Sequence, residues 1–161
     1  MVYELYELTK DKTNKNPIFY SLSSIPICAS CTNAQSFKCT RVVDGDTIII
    51  SNGERVRLIG VDTPETKHPS KPVEYFGKEA SAFTKRMVEG KDVRLEYGQQ
   101  RRDKYGRLLA YVYLMDGTFL NAEIIKQGYG NAYTRFPFKY MEAFRQYEKE
   151  AREAKRGLWA D

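Results

Sequence analysis

Apolar and polar residues alternate along five short stretches after residue 39, and a period of two predicts β-strands. These stretches are TRVV (40–43), TIIIS (47–51), ERVRLIGV (54–61), DVRLEY (92–97) and RLLAYVYL (107–114). Between the second and the third stands Asn52-Gly53, which predicts a two-residue hairpin turn because both central residues must adopt positive φ. The second and third strands are therefore expected to pair in antiparallel fashion.

A period of three to four residues predicts three helices. In the first helix Phe76, Ala80, Phe83 and Met87 share one face, and Gly90 is placed to end it. A short second helix covers NAEIIKQ (121–127), and the apolar stripe of the last helix consists of Met141, Phe144, Tyr147, Ala151 and Ala154. One helix between the third and fourth of five strands is typical of an OB-fold. We therefore expect an α+β protein, a five-stranded OB-fold β-barrel with three helices.

The composition is that of a globular protein with a preference for polyanions. Hydrophobic residues make up 42% and charged residues 29% of the 161 residues, which is enough for a core. Twenty-six Lys and Arg against 21 Asp and Glu give a net charge of +5, which favours nucleic acid as a partner. No run of about 18 apolar residues is present, so no membrane span is expected.

Acid–base chemistry in this chain must rest on carboxylates. His68 is the only histidine, so neither a Ser-His-Asp set nor a two-His metal site can be built. The acids cluster at two strand ends: Asp44 and Asp46 precede one predicted strand, and Asp62 and Glu65 follow the next. Strand ends that meet at one rim of a sheet would bring these acids together.

Two paired carboxylates and a backbone carbonyl form an oxygen-rich site suited to Ca²⁺. Counting outward from the hairpin turn pairs Ser51 with Glu54 and places Asp46 near residues 60–62, beside Asp62. Asp and Gly are also the ordinary turn residues, so DGD (44–46) could be only a turn and Asp62 a cap or Asx-turn residue. Spacing alone leaves both interpretations open.

Two arginines stand close to these acids in the predicted sheet. Arg57 is on the strand that ends in Asp62, and Arg107 begins another strand. A guanidinium can bind two phosphate oxygens at once, a metal can neutralise further charge, and a carboxylate can accept a proton from water. The combination predicts phosphoryl chemistry. Two surface arginines without a role are the alternative.

Four motifs follow one another in the chain: DGDT (44–47), RLIGVDTPETKHP (57–69), EASAFTK (79–85) and DKYGRLLAYVY (103–113). Together they closely resemble the staphylococcal-nuclease-like, or thermonuclease, family from about Thr40 to Tyr133, and more loosely to Trp159. The resemblance implies a calcium-dependent nuclease on a five-stranded OB-type barrel, cleaving DNA and RNA to 3′-phosphate and 5′-hydroxyl products. The alternative is a non-catalytic OB-fold module that binds nucleic acid.

The resemblance also implies roles for the matched residues. Asp46, Asp62 and the backbone carbonyl of Thr63 would bind the Ca²⁺. Glu65 would be the general base that activates water. Arg57 and Arg107 would hold the phosphate and stabilise the transition state.

For the substrate, the resemblance assigns Lys104 and Tyr105 to the terminal phosphate of a bound nucleotide and Tyr133 to a base. Thr134 and Arg135 stand where a second tyrosine would be expected, which leaves base preference open. The expected partners are DNA and RNA, single-stranded or frayed, and a monomer is favoured. A secreted or periplasmic location is implied by the family, although this chain shows no convincing signal peptide.

Residues 1–36 lie outside the resemblance and are expected to form an extension before the domain of residues 37–161. VYELYEL (2–8), a polar turn and IFYSL (18–22) predict a β-hairpin. The cysteine cluster that begins there, Cys28, Cys31 and Cys39, permits one disulfide and a free thiol, or three thiols. With His68 the cysteines would also make the four ligands that a structural Zn²⁺ requires.

Overall fold

The computed structural model describes residues 35–66 and 74–160. Its strands are β1 (Ser36–Asp44), β2 (Thr47–Ile50), β3 (Arg55–Leu58), β4 (Val61–Asp62), β5 (Asp92–Arg102), β6 (Leu108–Leu114) and β7 (Asn131–Ala132). Its helices are α1 (Gly77–Val88), α2 (Leu120–Lys126) and α3 (Met141–Glu153), and a 3₁₀ turn follows at Gly157–Trp159. The predicted mixed α+β class is confirmed. Within these two ranges no helix has the length and apolar character needed to cross a membrane.

Five strands form a ring in the order β1-β2-β3-β6-β5 and close into a barrel. Neighbouring strands are antiparallel except β3 and β6, which run parallel. Register shifts in β1 after Cys39 and after Val42 mark bulges in its pairing with β2. Bulges bend a strand, and this bend lets β1 pair with β2 along one part and with β5 along another.

The barrel interior is filled by β-branched and leucine side chains. Ile48 and Ile50 of β2 are completely buried, whereas Ile49 between them is partly exposed, as a period of two requires. Val56 and Leu58 repeat this pattern on β3. Alternation along the sequence therefore identified the inward faces correctly.

The three predicted helices are present, but the buried face of α1 is Gly77, Ala80, Thr84 and Val88, so of the predicted face only Ala80 is fully buried, while Phe83 and Met87 are partly buried. α1 ends at Val88, and Gly90 follows at φ +78°, the left-handed conformation that glycine adopts without strain. Phe144 of α3 is completely buried and meets the Phe138 ring at 5.3 Å between centroids. The predicted stripe of α3 faces the core at Phe144 and Ala151, whereas Ala154 lies just after the helix and is exposed.

The β2–β3 hairpin departs from the prediction by one residue. Thr47 pairs with Arg57, and the Ile50 N–H donates to the Glu54 carbonyl at 3.1 Å. Residues 51–53 therefore form a three-residue loop with Gly53 at φ +82°, and the predicted pairing of Ser51 with Glu54 is wrong. A three-residue loop ending in a left-handed glycine uses the same residue types as a two-residue turn.

The predicted strand 54–61 is interrupted in the structure. Gly60 lies between β3 and β4 at φ +75°, and a Cβ added there would lie 2.5 Å from the Phe138 ring. Only glycine combines that conformation with so close an approach. The break turns the chain so that β4 leaves the barrel and pairs with β7, with Asp62 opposite Asn131.

Asn121 of α2 fixes this turn to the barrel. Its side chain is completely buried, and its Oδ1 accepts the Val112 N–H at 2.9 Å. Its Nδ2 donates to the carbonyls of Ile59 at 2.9 Å and Ala110 at 3.3 Å. A buried amide with these partners satisfied ties α2, β6 and the β3–β4 turn together.

The predicted N-terminal hairpin, Cys28, Cys31 and His68 lie outside the described residues, so these predictions and the boundary after residue 36 stay predictions. Cys39 is described and is a core residue with a free thiol and no exposed surface. Burial raises the pKa of the Cys39 thiol to about 11. The disulfide, three-thiol and zinc interpretations all involve residues outside the described ranges and stay predictions.

Candidate active site

The turn between β1 and β2 forms one wall of the candidate site. Gly45 at its centre allows a close approach, because a Cβ there would lie 2.7 Å from Thr63 Oγ1. Thr84 of α1 donates a hydrogen bond to the Gly45 carbonyl at 2.7 Å and holds the turn against the helix. Asp46, 8% exposed, accepts the Thr47 hydroxyl at 2.9 Å and the Thr63 N–H at 3.2 Å. The Asp46 carboxylate is thereby fixed at the barrel rim.

Arg57 joins the two acids that the sequence predicts at this rim. Its Nη2 lies 3.2 Å from Asp46 Oδ2 and 3.0 Å from Asp62 Oδ1. Its Nη1 donates to the backbone carbonyls of Leu58, at 3.2 Å, and Val61. The Arg57 side chain is 14% exposed. The structure therefore brings Asp46, Arg57 and Asp62 together, with a fixed guanidinium between two carboxylates.

The electrostatics of Asp62 reflect this crowding. Burial raises its pKa, the Arg57 guanidinium acts in the opposite direction, and the Asp46 charge raises the pKa further. Like charges held close together in a partly buried place disfavour ionisation, which is the direction seen for Asp62. Extra positive charge at this position would stabilise the ionised carboxylate.

The donors at this place fit a hard divalent cation. Thr63 Oγ1 is buried and has no hydrogen-bond partner within the described ranges. The predicted ligands, Asp46, Asp62 and the Thr63 carbonyl, are all oxygens, the ligand type that Ca²⁺ prefers. In the part of the chain that the structure describes, no three His, Cys, Asp or Glu side chains form a metal-binding group. The predicted set contains only two carboxylates and needs the carbonyl as its third donor.

Glu65 follows β4 in a segment held by two further acids. Its N–H donates to Glu74 Oε2 at 3.0 Å, and its carbonyl accepts the Glu74 N–H at 3.0 Å. Its side chain is hydrogen-bonded to the carboxyl of Asp44. Burial and then this hydrogen bond raise the pKa of Asp44 to about 6. Glu65 thus belongs to the same acidic rim as Asp46 and Asp62.

Arg107 is oriented by Asp103 across the β5–β6 turn. Its Nε donates to Asp103 Oδ2 at 2.7 Å, and Asp103 Oδ1 accepts the N–H groups of Tyr105 at 2.9 Å and Arg107 at 3.0 Å. Burial would raise the Asp103 pKa, but these hydrogen bonds and the Arg107 charge lower it overall. One ionised carboxylate therefore shapes the turn and aims the guanidinium.

The parallel pairing of β3 with β6 places both predicted catalytic arginines on one face of the sheet. Arg57 pairs with Leu109, and Arg107 stands two residues before Leu109. Side chains two apart on an extended strand project to the same face. The register therefore places Arg107, one residue before β6, level with Arg55, two residues before Arg57 on the adjacent strand.

The predicted substrate-binding residues lie around these arginines. Tyr105 is 71% exposed, with Lys104 Nζ 4.9 Å and the Arg107 guanidinium 5.3 Å from its ring centroid. Tyr133 follows β7, and its N–H donates to the Gly60 carbonyl at 2.9 Å, beside the turn that positions Arg57. The structure thus places the predicted residues in two groups, one around Arg57 at the β3–β4 turn and one around Arg107 at the β5–β6 turn.

Three residues of this region received no role from the sequence: Asp44, Glu74 and Asp103. Asp103 could have been found, because an Asp two to four residues before Tyr-Gly-Arg is typical of an Asx-turn. Asp44 stands in the quoted DGDT motif, but its contact with Glu65 joins distant segments. Nothing local marks Glu74 as a partner of Glu65.

Fold and site together define a class of protein: a small barrel whose rim holds an acidic cluster and fixed arginines, suited to an anionic substrate and a cation. The family described as Staphylococcal nuclease homologue matches residues 55–161, and the chain belongs to that family. Domains of this family are OB-folds, in agreement with the strand order. The family resemblance predicted from the four motifs is confirmed.

Individual relatives are similar over most of the chain. A thermonuclease of Staphylococcus hyicus is 46% identical over 136 residues, which cover 82% of this chain and 80% of the relative. A thermonuclease of Staphylococcus intermedius is 48% identical over 129 residues, covering 78% and 76%. Endonuclease YncB of Bacillus subtilis (strain 168) is 44% identical over 126 residues, covering 74% and 59%.

Proposed function

We propose that this chain is a nuclease that hydrolyses phosphodiester bonds of DNA and RNA with one Ca²⁺ at the site. The nuclease class rests on the family and on relatives named thermonuclease and endonuclease. The single observation that carries the finer proposal is the placement of Arg57 between Asp46 and Asp62, with Nη2 within 3.2 Å of both carboxylates. An anion that binds this guanidinium lies beside the two acids and the cation they would hold.

In this proposal Asp46, Asp62 and the Thr63 carbonyl hold the cation. When bound, Ca²⁺ supplies positive charge that orients the phosphate and offsets its negative charge. Glu65 accepts a proton from a water molecule, and the water oxygen attacks phosphorus. The bond from phosphorus to the 5′ oxygen breaks and that oxygen takes up a proton from solvent, which leaves a 3′-phosphate on one product and a 5′-hydroxyl on the other.

The arginines stabilise charge that grows on the phosphate oxygens during attack. Arg57 and Arg107 project from one face of the β3–β6 pair, so both can reach the same phosphate group. Lys104 and Tyr105 bind the terminal phosphate, and Tyr133 packs on a base. In this proposal the active unit is a monomer. An open rim with exposed aromatic rings favours single-stranded or frayed substrates.

The experiment that tests this proposal compares single-stranded DNA and RNA cleavage by wild type, Glu65→Gln and Glu142→Gln in Ca²⁺ and in chelator. Glu142 is a matched control because its side chain is 79% exposed on α3. We expect cleavage by wild type and Glu142→Gln in Ca²⁺ only, and a loss of about a hundredfold or more for Glu65→Gln. Full activity of Glu65→Gln would contradict its role as general base.

The second candidate function is a module that holds nucleic acid without cutting it. Its support is the barrel architecture with exposed aromatic and basic side chains. The acids and arginines needed for cleavage are all present, which favours the enzyme. If wild type binds oligonucleotides and cuts neither DNA nor RNA in Ca²⁺, the binding module replaces the nuclease.

A further inference from the structure

A groove of about 900 Å³ lies between β5 and residues 136–139, and Gly60 and Tyr133 of the candidate site are among its lining residues. It begins at Ile59, Gly60 and Leu109, and Leu109 pairs with Arg57 across the β3–β6 strands. The volume lies in the range of pockets that hold small organic ligands. A substrate strand that leaves the arginines in this direction would enter the groove.

Two aromatic rings stand on one side of the groove. Tyr133 is 36% exposed and Phe136 is 63% exposed. Their ring centroids are 6.3 Å apart and their planes are inclined by 52°. Rings so inclined cannot sandwich a base between them, so each offers its own face. Phe136 is the more exposed of the two rings.

The segment that carries Phe136 is anchored on its C-terminal side. The Phe138 ring packs against Phe144 with a centroid distance of 5.3 Å. The Lys139 N–H donates to the Tyr111 hydroxyl at 3.2 Å, and Lys139 Nζ contacts Glu96 at 2.8 Å. An exposed apolar ring beside so many fixed contacts needs little ordering before it binds a ligand.

The charged side chains that line the groove, Glu96 and Lys139, cancel, and a further cation stands beside it. Glu96 is the one carboxylate among the described residues that line it, and Lys139 neutralises Glu96. The Arg135 guanidinium lies 5.9 Å from the Phe136 ring centroid, outside the lining. An aromatic face for a base with a cation beside it for the phosphate is the combination that binds single-stranded nucleic acid.

We propose that this groove binds the base of a nucleotide beyond the two that flank the cleaved bond, with Phe136 as its stacking platform. The proposal rests on the proposed nuclease function and names a further substrate subsite for it. Phe136 then sets the preferred substrate length: an oligonucleotide that reaches the groove is cut better than one that does not.

The test uses three kinds of short single-stranded DNA: a dinucleotide, trinucleotides extended on the 5′ or the 3′ side, and the same trinucleotides with an abasic added residue. Cleavage of the original linkage is followed as kcat/KM for wild type and Phe136→Ala. Stacking of one base contributes about 1–3 kcal/mol, so we expect Phe136→Ala to lose at least about fivefold on one base-extended trinucleotide. Cleavage of the dinucleotide and of the abasic trinucleotides should stay within about twofold of wild type.

Two further variants serve as controls. Phe136→Leu keeps an apolar side chain but has no ring face. It should lose most of the increase in kcat/KM that the added base gives in wild type. Met115→Ala removes an apolar side chain that is 67% exposed and absent from the groove lining, and it should cut every substrate as wild type does. Equal cleavage of both base-extended trinucleotides by Phe136→Ala and wild type overturns the proposal, and so does an equal loss on the dinucleotide.

A binding measurement separates this proposal from the nuclease proposal. Anisotropy of labelled trinucleotides in chelator reports affinity without cleavage. If wild type cuts nothing in Ca²⁺, the nuclease proposal fails, and the groove is still judged by the affinity difference between base and abasic probes. Loss of that difference in Phe136→Ala supports the subsite. A difference that Phe136→Ala retains contradicts it and leaves the ring as a contact for a protein partner.

Discussion

Asp103 accepts a hydrogen bond from Nε of Arg107 across 2.7 Å. The same carboxylate accepts the backbone N–H of Tyr105 and of Arg107, so one side chain both closes the turn and restrains the arginine. Because Nε is hydrogen-bonded to Asp103, the two Nη groups of Arg107 are the ones that can bind a phosphate. The direction of Arg107 is therefore set before any substrate arrives, which is preorganisation in the usual sense.

Replacing Asp103 by Asn tests this restraint. Asn keeps a carbonyl oxygen for the backbone N–H groups but loses the charge-assisted bond to Nε, so we expect kcat to fall about tenfold or more with little change in fold. Circular dichroism and kcat/KM measure the two effects. Asp116→Asn is the matched control, because Asp116 accepts the Thr118 N–H at 2.9 Å in a similar turn. Equal kcat losses in both variants would mean that Asp103 has no special role.

Arg57→Lys should reduce kcat at least about tenfold, because a lysine cannot reproduce the planar fork that reaches two carbonyls and two carboxylates. Since Arg57 is proposed to stabilise the transition state, KM should change much less than kcat. Arg55→Lys makes the same replacement two residues earlier on β3 and should leave kcat nearly unchanged. Steady-state kinetics on one oligonucleotide measure kcat and KM for wild type and both variants. A normal kcat of Arg57→Lys would contradict the role proposed for Arg57.

Two glycine substitutions separate backbone strain from steric clash. Gly53 and Gly60 both have positive φ, but a Cβ on Gly53 would meet nothing within 4 Å and one on Gly60 would meet the Phe138 ring at 2.5 Å. Gly53→Ala should lower the free energy of unfolding by about 1–2 kcal/mol from strain alone. Gly60→Ala should cost about 1–3 kcal/mol more, because Phe138 must move. Urea denaturation measures both, and equal costs would contradict the close packing of Phe138 on Gly60.

The buried thiol of Cys39 should make the free energy of unfolding fall as the pH becomes alkaline. Its pKa rises from the ordinary 9.0 to about 11 in the folded chain, mainly through burial. Between these values the unfolded chain has lost the proton and the folded chain keeps it, so stability is unaffected below pH 9 and falls as pH rises towards 11. The loss is roughly 3 kcal/mol at 1.4 kcal/mol per pH unit.

Urea denaturation between about pH 8 and pH 11 measures this slope in a Cys28→Ser, Cys31→Ser background. The further change Cys39→Ala should lower stability at every pH, because it leaves a cavity, and should also flatten the slope. An unchanged slope would show that other groups cause the alkaline loss.

The sequence predicted the elements well where one period dominates. β2, β6 and α3 each have a regular apolar pattern, and their bounds agree closely with expectation. The errors occur where one glycine decides between backbone paths. Asn52-Gly53 suits both a two-residue and a three-residue loop, and Gly60 breaks an apolar run that reads as one strand. Local pattern does not distinguish these paths because Phe138, which packs on Gly60, is far away in the chain.

The candidate site shows the same limit at the level of side chains. The proximity of Asp46 to Asp62 followed from strand pairing, and an error of one residue in the hairpin register did not destroy it. The position of Arg57 between them depends on the turn at Gly60 and on the carbonyl of Val61, which no spacing rule supplies. The contact of Glu65 with Asp44 likewise joins separate segments and requires the folded structure.

The parallel pairing of β3 with β6 also governs when the chain acquires its chemistry. Val56, Arg57 and Leu58 pair with Leu108, Leu109 and Ala110, so the barrel cannot close while a ribosome is still adding the earlier residues. A nascent chain of that length already contains every acid of the rim but lacks Arg107 and the strand beside Arg57. The pairing that brings Arg57 beside β6 therefore forms only after residue 110 has been added, well after the first strands have been made.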